Sequence, residues 1–150
     1  MFCPYCHSNQ TFVVNSRSTN NEMQIWRRRL CNNCQKRFTT HEVIDLSHLT
    51  VIKSDGRHEK FSRIKLYSGI FWATHGVKIN DRQKIVERFT NDIEKEILLL
   101  KKKVVTSEEI AQVVLNHLYK SNTSIFLRFL SYRTQITTKG EMQRELKKYQ

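Results

Sequence analysis

The chain has 150 residues, of which 39% are hydrophobic, and its 26 lysines and arginines against 14 acidic residues give a formal net charge of +12. This length suits one domain, or one small module joined to a second. The longest apolar run, residues 97–100, is far shorter than the roughly 18–20 residues that a membrane helix needs. Cys3 and Cys6 stand where the apolar part of a signal peptide would lie.

These features favour a cytoplasmic protein, and no membrane partner is expected. On charge alone, a positive surplus this large in a short chain favours a polyanionic partner, meaning nucleic acid, nucleotide or an anionic membrane. The alternative is a basic surface that serves only solvation. Cysteines in a reducing compartment are more often metal ligands or redox thiols than disulfides.

The four cysteines form two pairs, Cys3-x-x-Cys6 and Cys31-x-x-Cys34, with 24 residues between the pairs. Two such turns supply the four thiolates of a tetrahedral zinc site and predict a zinc ribbon with one structural zinc ion. A glutaredoxin-type redox motif needs a strand before the first pair. Only two residues precede Cys3, so this alternative is disfavoured. An iron–sulfur centre would accept the same four thiolates. His7 and His41 are predicted to be surface residues because the cysteines already fill a tetrahedron.

The segment before residue 45 also carries short strand-like runs, at residues 11–14 and 37–40, and a block of basic residues. No acidic residue occurs from Met23 to His41. In a strand, Arg27 and Arg29 would lie on one face and Arg28 on the other. Guanidinium groups suit phosphates and guanine edges, so the block predicts a DNA-binding surface rather than a solubilising patch. The predicted contacts in this block are Arg27, Arg28, Arg29, Lys36 and Arg37.

The second part of the chain reads as a hairpin followed by helices. Asp55-Gly56 separates two strand-like runs within residues 49–61 and predicts a type I′ turn, in which both central residues have positive φ. Ser62 is the expected N-cap of a helix that runs to about residue 74.

Three further helices are expected. A second helix fits residues 81–103, with an apolar stripe of Ile85, Phe89, Ile93 and Ile97. Thr106 with Glu109 forms a capping box for a third helix. A fourth, residues 123–137, is apolar nearly all round and should be the buried central helix. The last residues, 138–150, are polar and are expected to form a loosely held tail.

The first segment resembles the zinc ribbon of the NrdR family, whose members repress bacterial ribonucleotide reductase genes. The matching motifs are Cys3-Pro4-Tyr5-Cys6, Asn15-Ser16-Arg17, Arg27-Arg28-Arg29-Leu30-Cys31-Asn32-Asn33-Cys34 and Arg37-Phe38-Thr39-Thr40-His41-Glu42. The resemblance adds Arg17 to the expected DNA contacts. Trp26 stands where the family usually has a fourth arginine.

The second segment resembles the ATP-cone, an adenine-nucleotide sensor. The resemblance is carried by residues 51–66, Ser107-Glu108-Glu109-Ile110 and Leu127-Arg128-Phe129. It implies that Val51 lies against the adenine, that Lys53 and Lys65 bind phosphates and that Glu59 helps to shape the pocket. The family has a tyrosine near the nucleotide at the position that Arg133 occupies in this chain. Here the tyrosine stands one position earlier, as Tyr132.

The expected fold is therefore α+β, with a zinc ribbon at residues 1–45, an ATP-cone of one hairpin and four helices at residues 46–137, and a tail at residues 138–150. The resemblance implies a non-enzymatic repressor in which ATP or dATP controls homo-oligomer formation and binding to double-stranded operator DNA, in the bacterial cytoplasm at the nucleoid. Two alternatives are a sensor module that docks on ribonucleotide reductase and a zinc-ribbon RNA-binding protein.

Overall fold

The computed structural model describes residues 1–18, 22–134, 136 and 138–149. The chain divides into two compact units, Met1–Asp45 and Leu46–Gln150, and each is described by itself. The predicted end of the fourth helix, at residue 137, lies outside the described residues.

The first unit is a three-stranded antiparallel sheet in the order β1-β2-β3. The strands are β1 Thr11–Ser18, β2 Gln24–Cys31 and β3 Arg37–Val43. The register of β1 against β2 shifts between Val13 and Asn15, which is a β-bulge. The two predicted strand-like runs are confirmed, although both strands extend further. The buried cluster of this sheet is small and consists of Cys3, Cys31 and Phe38.

The second unit combines a small sheet with helices. Its strands are β4 Thr50–Ile52, β5 His58–Lys60 and β6 Val104–Thr106; its helices are α1 Arg63–Ala73, α2 Arg82–Leu99, α3 Ser107–Ser121, α4 Thr123–Thr134 and α5 Lys139–Leu146, with a 3-10 turn Lys147–Tyr149. β4 is the central strand, antiparallel to β5 and parallel to β6. The α+β class expected from the sequence is confirmed.

The predicted starts of α1 and α3 are confirmed. At each start, nearby side chains accept hydrogen bonds from backbone N–H groups that have no partner within the helix. The Ser62 hydroxyl accepts from the Lys65 N–H at 3.5 Å. Thr106 and Glu109 form the reciprocal capping box. As expected, α4 is central: it packs against α1 and α3, and it buries Ile125, Phe126 and Leu130.

The second helix begins as predicted after Asp81, and the stripe residues Phe89, Ile93 and Ile97 are buried, whereas Ile85 is only half-buried. The prediction that this helix reaches residue 103 is wrong. Lys101 takes a positive φ of 55°, and the Lys103 carbonyl accepts from the Thr50 N–H at 3.0 Å. The chain therefore turns from α2 into β6, a strand too short to leave a periodic signal in the sequence.

The type I′ turn is also wrong. Gly56 has a φ of 82°, but Asp55 does not have a positive φ. The Gly56 N–H donates to the Lys53 carbonyl at 2.9 Å, and the Lys53 N–H donates to the Arg57 carbonyl at 2.8 Å. This pattern is a longer hairpin loop in which the last residue is left-handed. The Asp55 carboxylate supports the loop by accepting from the Arg57 N–H at 3.0 Å.

Residues 138–149 of the expected tail are not loosely held. Thr138 and Glu141 form a second capping box at the start of α5. Leu146 and Tyr149 pack against the core of the second unit, and the Tyr149 ring meets Phe126 edge-on at 5.2 Å between centroids. The polar composition concealed this packing because only two apolar residues carry it.

Candidate metal, nucleic-acid and nucleotide sites

The four cysteine sulfurs lie at one end of the ribbon sheet, all within 4.8 Å of one another. The Sγ atoms of Cys3 and Cys34, and those of Cys6 and Cys31, are 3.6 Å apart. A tetrahedron with Zn–S bonds of about 2.3 Å places its sulfurs about 3.8 Å apart, whereas a disulfide needs about 2.05 Å. The cysteines are free thiols, and their arrangement fits one zinc ion.

The two cysteine turns have the same backbone design. The His7 N–H donates to the Cys3 carbonyl at 2.9 Å, and the Gln35 N–H donates to the Cys31 carbonyl at 3.0 Å. His7 and Gln35 each take the left-handed conformation with φ 57°. Each turn thus presents two sulfurs to the same point. His7 and His41 are exposed, and neither belongs to the sulfur cluster.

The charges of the sulfurs depend on one another. The pKa of the Cys6 thiol is lowered to about 6 because the Ser8 N–H and the Asn33 side chain donate to its sulfur. The Lys36 N–H acts in the same direction on Cys34, but burial and the neighbouring sulfurs together raise the pKa of the Cys34 thiol to about 12. Four adjacent thiolates therefore require a cation among them, which is the role a zinc ion fills.

The six predicted DNA contacts do not share one surface. We call the side of the sheet that carries Arg27 and Arg29 the Arg27 face, and the opposite side the Arg28 face. Arg28 pairs across the strands with Asn15 and Thr39, while Trp26 pairs with Arg17 and His41. Arg37 lies opposite Leu30 on this same face. The Arg28 face therefore carries Arg17, Arg28 and Arg37.

The Arg27 face is partly neutralised. The Arg27 guanidinium binds the Glu42 carboxylate, with contacts of 2.9 Å and 2.6 Å, and Arg29 donates to the Thr40 hydroxyl at 3.1 Å. Glu42 lies one residue beyond the acid-free segment, so the sequence argument missed this counter-charge. Lys36 directly precedes β3 and belongs to neither face of the sheet, and its Nζ lies 4.9 Å from the centroid of the Tyr5 ring.

The second unit contains an open cavity of about 510 Å³ between the small sheet and helices α1, α3 and α4. This volume lies in the range of small-molecule sites. The four residues predicted to bind nucleotide all line it, namely Val51, Lys53, Glu59 and Lys65. The structure thus brings the predicted residues together.

Glu59 lies between the two predicted phosphate-binding lysines. Its carboxylate accepts from the Lys65 ammonium at 2.6 Å and is 3.9 Å from that of Lys53. These contacts, the hydrogen bond from Lys65 first, hold the pKa of Glu59 below its usual range. An ionised Glu59 thus balances part of the charge that the lysines offer to an anion.

Sequence reasoning missed most of the other lining residues. Trp72 and Phe129 contribute aromatic surface, and Ser107 lies at the start of α3. Tyr132 and Arg133, noted only as departures from the family pattern, both line the cavity. Trp72 is 68% exposed despite its size, and the sequence alone does not show that exposure.

Both compact units match known protein families. Residues 1–42 match the family described as transcriptional repressor NrdR-like, N-terminal domain, and residues 49–137 match the ATP cone domain. Proteins named transcriptional repressor NrdR are 41% identical in Microcystis aeruginosa, over 87% of this chain and 75% of the relative, and 33% identical in Finegoldia magna, over 99% and 97%. This chain belongs to the NrdR family.

Membership in the NrdR family makes the chain a transcriptional regulator with a zinc ribbon and an ATP-cone. A third NrdR repressor, from Thermosynechococcus vestitus, is 39% identical over 90% of this chain and 82% of its own length. Within the described ranges, no helix combines the length and the apolar character needed to cross a membrane.

Replacing Cys31, which is fully buried, with serine should remove the zinc ion and unfold the ribbon, because the remaining buried cluster is too small to hold the sheet. Metal binding is worth about 10–16 kcal/mol in small zinc domains. Elemental analysis should fall from one zinc per chain to none, while the helical circular dichroism signal of the second unit persists. His7→Ala is the matched control and should retain one zinc. Full metal retention in Cys31→Ser would contradict the assignment.

Proposed function

We propose that this protein is a repressor in which an adenine nucleotide bound to the cone controls the grip of the ribbons on operator DNA. The main support for this proposal is that one cavity of nucleotide size is lined by Val51, Lys53, Glu59 and Lys65. Apolar residues from β4, α1 and α3 form one part of its wall, which suits a base, and the two lysines suit phosphates. ATP and dATP are the proposed effectors.

We propose that the ribbon, residues 1–45, holds one Zn²⁺ through Cys3, Cys6, Cys31 and Cys34 and binds duplex DNA. The cone follows from residue 46, with α5 as part of the same unit rather than as a tail. The proposed protein is not an enzyme and works in the bacterial cytoplasm at the nucleoid. Cone association into homo-oligomers would set the spacing of paired ribbons, and hence whether two half-sites on one face of the duplex are gripped together.

The Arg28 face is the proposed DNA-contacting side of the ribbon. It carries three arginines, whereas the Arg27 face carries two arginines and Glu42. Arg28 is also held in place, since it donates to the Thr39 hydroxyl at 3.0 Å. The cross-strand neighbours of Arg28 are uncharged, so its guanidinium can bind a phosphate or a base edge without giving up a carboxylate partner. Arg27 would have to give up Glu42, which costs free energy.

Arg28→Ala should weaken operator binding by about tenfold or more, because a base or phosphate contact of this kind is worth about 1–3 kcal/mol. Arg27→Ala, at the neighbouring position and already paired with Glu42, is the matched control and should cost less than about threefold. Fluorescence anisotropy with a labelled reductase-promoter duplex measures both. A larger loss of operator affinity in Arg27→Ala than in Arg28→Ala, with the zinc content intact in both variants, would refute the assignment of the Arg28 face to DNA contact.

The nucleotide switch is tested by operator affinity with ATP, with dATP and without nucleotide at constant salt. A regulatory coupling of 1–3 kcal/mol predicts a difference of about 5–150-fold between effectors. Lys65→Gln should abolish the difference, since it removes the proposed phosphate ligand, whereas Lys120→Gln, an exposed lysine on α3 outside the cavity, should preserve it.

Equal operator affinity in every nucleotide condition would rule out the switch. Preference for single-stranded RNA over the duplex would favour the RNA-binding alternative. Binding to the reductase with no affinity for its promoter would favour the docking module.

A further inference from the structure

A third cationic group lines the same cavity as the two lysines. Ile52 and Thr106 are register partners in the parallel pair β4 and β6. The residues that follow them, Lys53 and Ser107, therefore leave the sheet at the same edge. Both line the cavity. The backbone of Ser107 therefore lies beside the backbone of Lys53 at the wall of the cavity.

Arg133 of α4 is attached there. Its guanidinium Nη2 is 3.4 Å from the Ser107 carbonyl and 2.6 Å from the Glu108 carboxylate. Arg133 itself lines the cavity. The polar side of the cavity thus forms a continuous series. Lys65 contacts Glu59, Glu59 neighbours Lys53, and Lys53 leaves the sheet beside Ser107, which Arg133 contacts.

The balance of charge along this series favours a multiply charged anion. Three cations line the cavity, and Glu59 is the acidic residue found among its described lining residues. One carboxylate between two lysines leaves part of their charge uncompensated. Arg133 adds a planar group with several donors, which is the geometry that suits the oxygens of a phosphate.

The present partner of Arg133 is easily exchanged. The Glu108 side chain is 78% exposed, whereas that of Arg133 is 31% exposed. An ion pair with one member this exposed is weak because solvent screens it. The contact to the Ser107 carbonyl is long at 3.4 Å. A phosphate entering the cavity would therefore compete with Glu108 for the guanidinium at little cost.

We propose that Arg133 is a specificity-determining residue that binds the distal phosphate of a nucleotide, so that the cavity selects triphosphates over monophosphates. This inference rests on the proposed nucleotide site and adds a residue to it. The Glu108 carboxylate holds the Arg133 guanidinium from outside the set of residues that line the cavity. Binding of a triphosphate exchanges that carboxylate for phosphate oxygens, and the two lysines hold the phosphates nearer the nucleoside.

The test compares Arg133→Gln with Glu108→Gln in the full-length zinc-loaded protein, using calorimetric titration with ATP, ADP and AMP. Loss of the guanidinium should weaken ATP binding by about tenfold, ADP less, and AMP by less than about twofold. Loss of the Glu108 charge should strengthen ATP binding by about threefold, because it removes the competitor. Arg144→Gln, an exposed arginine on α5 that does not line the cavity, is the matched control and should change nothing.

A purely structural role for the Arg133–Glu108 pair would move both variants in the same direction, and that result would overturn the proposal. Equal losses for ATP, ADP and AMP in Arg133→Gln, or no loss, would overturn it as well and leave the nucleotide site standing. If the unmodified protein binds none of the three nucleotides, the proposed function fails together with this inference.

Discussion

Four sulfur atoms within 4.8 Å of one another impose the strictest constraint on this chain. Their cluster includes most of the buried side chains at the centre of the ribbon, where Phe38 is the main apolar addition. Four thiolates so close together repel one another unless a cation lies among them. The ribbon therefore depends on a metal ion where the second unit depends on hydrophobic packing.

That difference explains how each unit presents its functional groups. Because the metal end stabilises the sheet, neither face of β2 has to be covered by a hydrophobic layer, and polar and basic side chains occupy both faces. In the second unit an extended core fixes the helices, and the cavity opens where the small sheet meets α1, α3 and α4. Under the proposed function, the zinc ion leaves the faces of the ribbon sheet available to DNA, and the packed core of the second unit surrounds the cavity for a nucleotide.

Much of this organisation was predictable because its determinants are local. The Cys-x-x-Cys spacing specifies the cluster, and Ser62, Thr106 and Glu109 specify where helices begin. The determinants that sequence reasoning missed act between distant segments. β6 exists because three residues pair with β4, and α5 is held by Tyr149 packing on Phe126.

The site residues divide in the same way. The resemblance identified four positions that line one cavity, but not the contact between Arg133 and the start of α3, 25 residues earlier. The alternation of Arg27, Arg28 and Arg29 was predictable, whereas the pairing of Arg27 with Glu42 depends on the register of β2 against β3. Individual positions could thus be read from the sequence more reliably than the charge balance of a surface.

Under the proposed function, nucleotide in the cone and DNA on the ribbon are thermodynamically linked. Linkage is reciprocal, so the factor by which dATP changes operator affinity relative to ATP must equal the factor by which operator DNA changes the preference between the two nucleotides. Titration of the full-length protein with each nucleotide, with and without saturating operator duplex, measures that second factor directly. We expect a shift in nucleotide preference of the same size, whereas nucleotide affinities unaffected by the duplex would contradict the linkage.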